Sequence, residues 1–272
     1  MNYKIISSDL DGTLLNTDMK VSEENRLAVK KYTDMGGVFV PNSGRSLGEM
    51  SDEVKDLPGV RFVICSDGAD IYDKKTDTHI SLAMTSEENR LAFDILSDYE
   101  IFPTVHYHGN SYLDADTYDR ATMDYHNVNE YFRIHFELTN RPQKNFVEFW
   151  RNADEVEMIC AFFRSREAME EAEKRLLAAG LCVAASASYN MEIFSPRAGK
   201  GNALLRLAEH LGVAREDTIA MGDSTNDLSM IRAAGLGLAM ANAKEAVKEA
   251  ADKIACRNDE HIMVYLLEHY IR

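Results

Sequence analysis

The chain carries one pattern at its two ends and another in its middle, and that interruption limits the folds open to it. Near the N-terminus, short apolar runs alternate with helically periodic stretches: 3-YKIISS-8, 22-SEENRLAVKKYTDMGG-37, 38-VFVP-41, 47-LGEMSDEVKDL-57 and 61-RFVICS-66. Apolar runs of this length bounded by turn formers read as strands buried on both faces. Strand–helix–strand alternation predicts a parallel sheet with helices packed on it. In the first helix Ser22 is the expected N-cap and Gly36 the terminator, with Leu27, Ala28, Tyr32 and Met35 on one face. The pattern resumes late in the chain: helix 202-NALLRLAEHLG-212, strand 217-DTIAMG-222, helix 226-NDLSMIRAAG-235 and strand 236-LGLAM-240, with helices at 244–253 and 259–271.

Between these halves the residues change character. The segments 102-FPTVHYHGNSYLD-114, 131-YFRIHFEL-138, 146-FVEFW-150 and 157-EMICAFF-163 are aromatic and alternating, which suits an antiparallel sheet with one covered face. Two helices, 85-TSEENRLAFDILSDYE-100 and 165-SREAMEEAEKRLLAAG-180, accompany them, each opening on a hydroxyl cap. The expected architecture is an α/β, Rossmann-like core of residues 1–82 and 190–272 with an inserted α+β domain of residues 83–189.

A chain of 272 residues with 45% hydrophobic content supports a sizeable core. Its net charge of −15 opposes binding to nucleic acid or to an anionic membrane surface. Cys65, Cys160, Cys182 and Cys256 are scattered without paired spacing, as in a reduced protein, and the first apolar run is broken by Asp9 and Asp11. With no apolar stretch near bilayer length, a cytoplasmic location is expected.

Four polar loops fall after strands or at helix starts on what would be one edge of the sheet, where open parallel sheets bind ligands. They are Asp9 and Asp11 in 5-IISSDLDGTLL-15, Ser43, Gly44 and Arg45 in 43-SGRS-46, Lys200 in 197-RAGKGNAL-204, and Asp223, Asn226 and Asp227 in 222-GDSTNDLSM-230. If Asp9, Asp11, Asp223 and Asp227 converge, their mutual repulsion, about 4 kcal/mol per pair ~4 Å apart at an effective dielectric near 20, calls for a cation or protons. An all-oxygen set with few protein ligands suits Mg²⁺ with waters and a substrate phosphate, and no Cys or His lies in these loops to favour softer metals. Lys200, the Ser43 hydroxyl and backbone N–H groups near Gly44 would then hold phosphoryl oxygens. One carboxylate can attack phosphorus while a second moves protons, Gly12 lets the chain turn between strand and loop, and Thr13 is available to hydrogen-bond nearby.

DLDGTLL, SGR, GKGNAL and GDSTNDLSM, in this order, resemble the four motifs of the haloacid dehalogenase superfamily. The insertion between the second and third motifs, with 64-ICSDGADIYD-73 after the third strand, looks like the Cof-type branch of sugar-phosphate phosphatases with a class IIB cap. The resemblance implies that Asp9 is the nucleophile and a Mg²⁺ ligand. It implies that Asp11 is the general acid/base and a ligand through its backbone carbonyl, and that Asp223 completes the metal site. Ser43, Gly44, Lys200, Asn226 and the Leu10 backbone N–H would bind phosphate. Asp227 would orient Lys200 or a metal-bound water, and Arg45 would face the substrate. The branch often has Asn-Gly-Ala where this chain has 67-DGA-69, which leaves Asp67 as either a turn residue or a charge near the cleft.

The function expected from all this is Mg²⁺-dependent hydrolysis of small phosphomonoesters, sugar phosphates above all, through an aspartyl-phosphate, by a monomer or small homo-oligomer. The alternatives are a phosphotransferase or phosphohexomutase on the same scaffold, and a receiver-like phosphate-responsive module without catalysis. In the insertion, His106 and His108 share a strand side but lack a third ligand, so a sheet-face or substrate-facing role is expected of them. Trp150 is expected in the core, and Arg133, Arg151 and Tyr189 are specificity candidates.

Overall fold

The structure, a computed structural model, describes residues 2–185 and 187–272. The chain falls into two compact units: residues 1–44, 50–80 and 199–272 form the first, and residues 45–49 and 81–198 the second. The expected α/β core with an inserted α+β unit is what the chain forms. No helix among the described residues is long and apolar enough to cross a membrane.

Among the described residues, the first unit is built on a five-stranded parallel sheet in the order Lys253–Ile254, Leu236–Ala239, Thr218–Gly222, Ile5–Ser8, Val38–Pro41. Ile5, Ile6, Phe39, Val40, Ile219, Met221 and Leu238 are fully buried, as the unbroken apolar runs require. The order places the first strand centrally, with the late strand beside it, so their carboxyl ends are neighbours. Phe62–Cys65 instead pairs antiparallel with Asp70–Asp73 in a separate sheet, and the isolated Asn42–Ile64 bridge runs parallel to it. The Glu23–Asp34 helix is capped by Ser22, whose Oγ accepts the Asn25 N–H at 3.2 Å. Its buried face is Asn25, Ala28, Val29 and Tyr32, while Leu27 and Met35 are exposed. The polar Asn25 takes the inner position because its Oδ1 accepts the Met263 N–H, so the helical phase differs from the one apolarity alone suggests.

The second unit holds a six-stranded mixed sheet, again among the described residues, in the order Cys182–Ala184, Asn190–Phe194, Val156–Phe163, Ile101–Tyr107, Asn110–Asp114, Arg141–Gln143. All its ladders are antiparallel except the last. One face packs on the Ser86–Leu96 and Arg166–Ala178 helices through Ala92, Leu96, Ile159, Phe163, Ala172 and Leu176. Thr85 opens the first of these with a reciprocal cap to Glu88, and Ser165 caps the second. Trp150 belongs to this core, its Nε1–H donating to Asn89 Oδ1.

The other face is covered as well, against the expectation of one solvated side. Residues 131–138 and 146–150 are helical, within Glu130–Thr139 and Phe146–Asn152, not strands. Phe132 and Phe136 stand four apart and pack with Phe162 and Met158, and Asn129 caps the helix by accepting the Phe132 N–H. Phe146, Phe149 and Trp150 likewise sit at three- and four-residue spacing. In both segments the helical period coexists with alternation, and in the first the Asn129 cap favours the helix. Val156–Phe163 is consequently buried along its whole length.

Candidate active site

The central strand ends at Asp9, whose N–H still donates to Met221 O at 3.0 Å and so holds the residue at the sheet's carboxyl edge. Beyond it the chain makes one wide turn, closed by Leu15 N–H to Leu10 O at 2.9 Å and Leu14 N–H to Asp9 O at 3.3 Å. Gly12 permits the turn in two ways. Its φ of +78° is left-handed, and a Cβ there would lie 2.8 Å from Asp223 Oδ2. The Gly12 carbonyl is held by Asn242 Nδ2 at 2.8 Å, and Asn242 Oδ1 in turn accepts the Asn258 N–H.

Lys200 begins the Lys200–Leu211 helix, yet its side chain is 1% exposed. Its Nζ donates to Asp9 Oδ1 and to Asp227 Oδ1, each at 2.7 Å. Asp227 Oδ2 accepts the N–H groups of Asp223 and Ser224 at 3.0 Å each, which shapes the loop after the Thr218–Gly222 strand. Asn42 Nδ2 bridges Ser7 Oγ and Lys200 O, tying the second loop to the third. Residues separated by nearly the whole sequence thus meet through hydrogen bonds on one sheet edge.

Asp9, Asp223 and Asp227 each offer an oxygen within 4.8 Å of the others. Burial first, and then the Asp227 charge, push Asp9 well above the usual carboxylate range, against the pull of Lys200. The same two causes raise Asp223 to about 6. Burial alone would depress Lys200, but Asp227, Asp9 and Asp67 outweigh it and hold the ammonium charged. One ammonium therefore faces several carboxylates, and Asp223 Oδ1 is buried with no hydrogen-bond partner. A hard divalent cation fits this set: the donors are all oxygens, crowded and short of positive charge.

The remaining residues singled out in the sequence fall as follows. Asp11 is half-buried in the wide turn, and its charge also raises Asp9. Leu10 and Thr13 are buried in the same turn, and Thr13 Oγ1 has no hydrogen-bond partner. Ser43 is buried, its N–H donating to Ile64 O, and Gly44 follows it. Asn226 is half-buried in the short turn Thr225–Asp227. Arg45 belongs to the second unit, where its Nη2 donates to Tyr131 Oη at 3.0 Å.

Asp67 adopts left-handed backbone between two other positive-φ residues, Ser66 and Gly68, as the turn reading anticipated. It is also 2% exposed, with its carboxylate against Gly44. Its carbonyl accepts the Gly199 N–H at 2.8 Å, one residue before Lys200. Asn242 had no signal in the sequence beyond its place after the 236–240 strand. Of the insertion's candidates, Arg133 is tied to Val128 O, Asp124 and Glu130. Arg151 stacks 5.9 Å from the Phe93 ring, and His108 lies in a tight turn beside Tyr107.

A profile of the haloacid dehalogenase-like hydrolases matches residues 6–267. The chain is 32% identical to phosphatase YwpJ of Bacillus subtilis (strain 168), over 98% of this chain and 100% of that protein. It is 28% identical to the 5-amino-6-(5-phospho-D-ribitylamino)uracil phosphatase YcsE of the same organism, over 100% of this chain and 97% of the relative. Among solved structures, a haloacid dehalogenase-like hydrolase from B. subtilis superposes with a TM-score of 0.83 at 30% identity, covering 98% of this chain and 99% of the other.

Proposed function

Because the chain belongs to the haloacid dehalogenase-like hydrolase family, we propose that it is a Mg²⁺-dependent phosphatase of small phosphorylated metabolites, and of sugar or polyol phosphates in particular. The observation that carries this reading is the Lys200 ammonium shared between Asp9 and Asp227, with Asp223 in reach of the same point. A relative whose substrate name includes a phosphorylated ribityl chain supports the polyol class. The inserted unit, residues 83–189 with Arg45, is assigned the choice of leaving group.

Asp9, Asp223 and the Asp11 carbonyl would hold Mg²⁺, which when bound neutralises the carboxylates and the incoming phosphoryl oxygens. Lys200, Ser43, Gly44, Asn226 and the Leu10 N–H orient those oxygens, and Asp227 keeps Lys200 in place. An Asp9 oxygen forms a bond to phosphorus as the ester P–O bond breaks, and Asp11 gives its proton to the departing alkoxide. A water then adds to phosphorus and loses its proton to Asp11. The bond to Asp9 breaks, inorganic phosphate leaves, and both aspartates return to their starting states. In this reading Asp9→Asn lowers hydrolysis of p-nitrophenyl phosphate by at least about 10⁴-fold while the circular dichroism spectrum is unchanged. Residual turnover within tenfold of wild type would remove Asp9 as the nucleophile.

A further inference from the structure

The chain returns to the first unit at Gly199, so Lys200 stands one residue from that junction. A side chain so placed holds a direction only if its backbone is fixed, and three segments of the same unit fix it. The Gly199 N–H donates to Asp67 O at 2.8 Å. Lys200 O accepts from Asn42 Nδ2 at 3.1 Å, and the Gly201 N–H donates to Ser229 Oγ at 3.2 Å. Two of these contacts satisfy N–H groups that a helix start leaves without an intrahelical partner. Glycine makes the approach possible on both sides of the lysine. A Cβ on Gly201 would run into the Ser229 carbonyl, and one on Gly68 would run into that of Gly199.

The contact with Asp67 is the one held against backbone preference. Ser66, Asp67 and Gly68 are all left-handed, with φ of +48°, +49° and +89°. Two successive non-glycine residues in that region are uncommon, and such strain persists only where the surroundings over-determine it. Here they do. The Asp67 N–H donates to Ser43 O at 3.1 Å, and the Ser43 N–H donates to Ile64 O at 3.0 Å. The Ala69 N–H closes the turn on Ser66 O at 3.1 Å, and Ser66 and Asp67 are both buried. The turn is thus held by the Ser43 loop on one side and presents its carbonyl to Gly199 on the other. Aspartate is among the few side chains that tolerate this backbone, which gives Asp67 a reason for its place other than its charge.

We infer that Asp67 is a positioning residue acting through its backbone: the strained turn fixes the Gly199 peptide and so aims the Lys200 ammonium at Asp9 and Asp227. Lys200 Nζ meets each of those carboxylates at 2.7 Å. A misplacement of about 1 Å in such a group can cost roughly 10²-fold in rate. Since Lys200 touches the group that attacks phosphorus in the phosphatase reading, the loss falls on kcat more than on KM. That consequence for turnover rests on the phosphatase reading.

The test uses full-length protein with Mg²⁺ and p-nitrophenyl phosphate, plus amide hydrogen exchange without substrate. Asp67→Gly and Asp67→Asn reach left-handed φ at little cost, and keep kcat within about threefold of wild type although the carboxylate is gone. Asp67→Val disfavours that backbone and Gly68→Ala intrudes on Gly199. Both lower kcat about 10²-fold and move KM by no more than about threefold. Exchange at the Gly199 and Gly201 amides quickens in this second pair and not in the first. Should Asp67→Val fail to fold, Asp67→Ala carries the same contrast in milder form. Equal losses in all four variants would put the carboxylate itself in the chemistry and overturn the inference. Wild-type kcat in Asp67→Val and Gly68→Ala would overturn it too. If wild type hydrolyses no phosphomonoester, the functional reading falls instead. The positioning role is then decided by exchange, and unchanged protection of Gly199 and Gly201 in Asp67→Val and Gly68→Ala ends it.

Discussion

Each unit buries acid beside base, and the two balance the charges in opposite directions. In the first, Asp9, Asp223 and Asp227 share the Lys200 ammonium, with Asp67 nearby, and two of the acids are pushed up in pKa. In the second, Glu49 alone faces two imidazoles. Burial would raise it, but His106, His135 and the Ser46 N–H prevail and lower it to about 2. A cluster short of positive charge suits the addition of a cation. A cluster with base to spare is complete as it stands and serves to hold chain.

The sharpest way to break this comparison is to remove the single base from the acidic cluster. Lys200→Met leaves buried carboxylates without their counter-ion, and a loss of about 3–5 kcal/mol is expected in urea unfolding of the metal-free protein. Mg²⁺ should return part of it. A loss below about 1 kcal/mol would mean the acids are already neutralised by protons.

pH separates the two clusters by sign. Asp223 has its folded pKa raised to about 6, so its contribution is full below the unfolded value near 3.8 and is lost as pH rises through about 6. Mg²⁺ compensates in that range, so the stabilisation it provides, about 3 kcal/mol at a hundredfold excess over Kd, should be larger at pH 8 than at pH 5. Glu49 behaves in reverse: its contribution is present above the unfolded value near 4.5 and is lost as pH falls through about 2. Comparing wild type with Glu49→Gln across that range should show a difference on the order of 3 kcal/mol at neutral pH, vanishing towards pH 2. Equal pH slopes for both proteins would place the Glu49 charge outside the energetics.

The smallest effect sharpens the geometry. Gly12→Ala combines a left-handed backbone with a contact at 2.8 Å to Asp223, and should destabilise by about 1–3 kcal/mol. It should also weaken Mg²⁺ binding measured by calorimetry, because Asp223 must move. Unchanged affinity would detach Gly12 from the metal site.

The acidic cluster was legible in the sequence because its members sit in short loops at strand ends, and strand–helix alternation tells which ends share an edge. Asp9, Lys200, Asp223 and Asp227 could be brought together on that rule alone. The Glu49 cluster was not legible. Its three members belong to no common repeat, and His135 lies in 131-YFRIHFEL-138, where alternation pointed to a strand. The Asn129 cap and the four-residue spacing of Phe132 and Phe136 were the available signal. Leu27 on the exposed side of its helix shows the same limit: a buried Asn25 that satisfies a distant N–H has no mark in hydrophobic periodicity.

The assignment of residues 45–49 to the second unit bears on recombination between relatives. A chimera that exchanged only residues 81–198 would part Glu49, an ionised side chain, from its own partners His106 and His135. The compact unit is discontinuous, and an engineer exchanging it between homologues must cut the gene in four places rather than two.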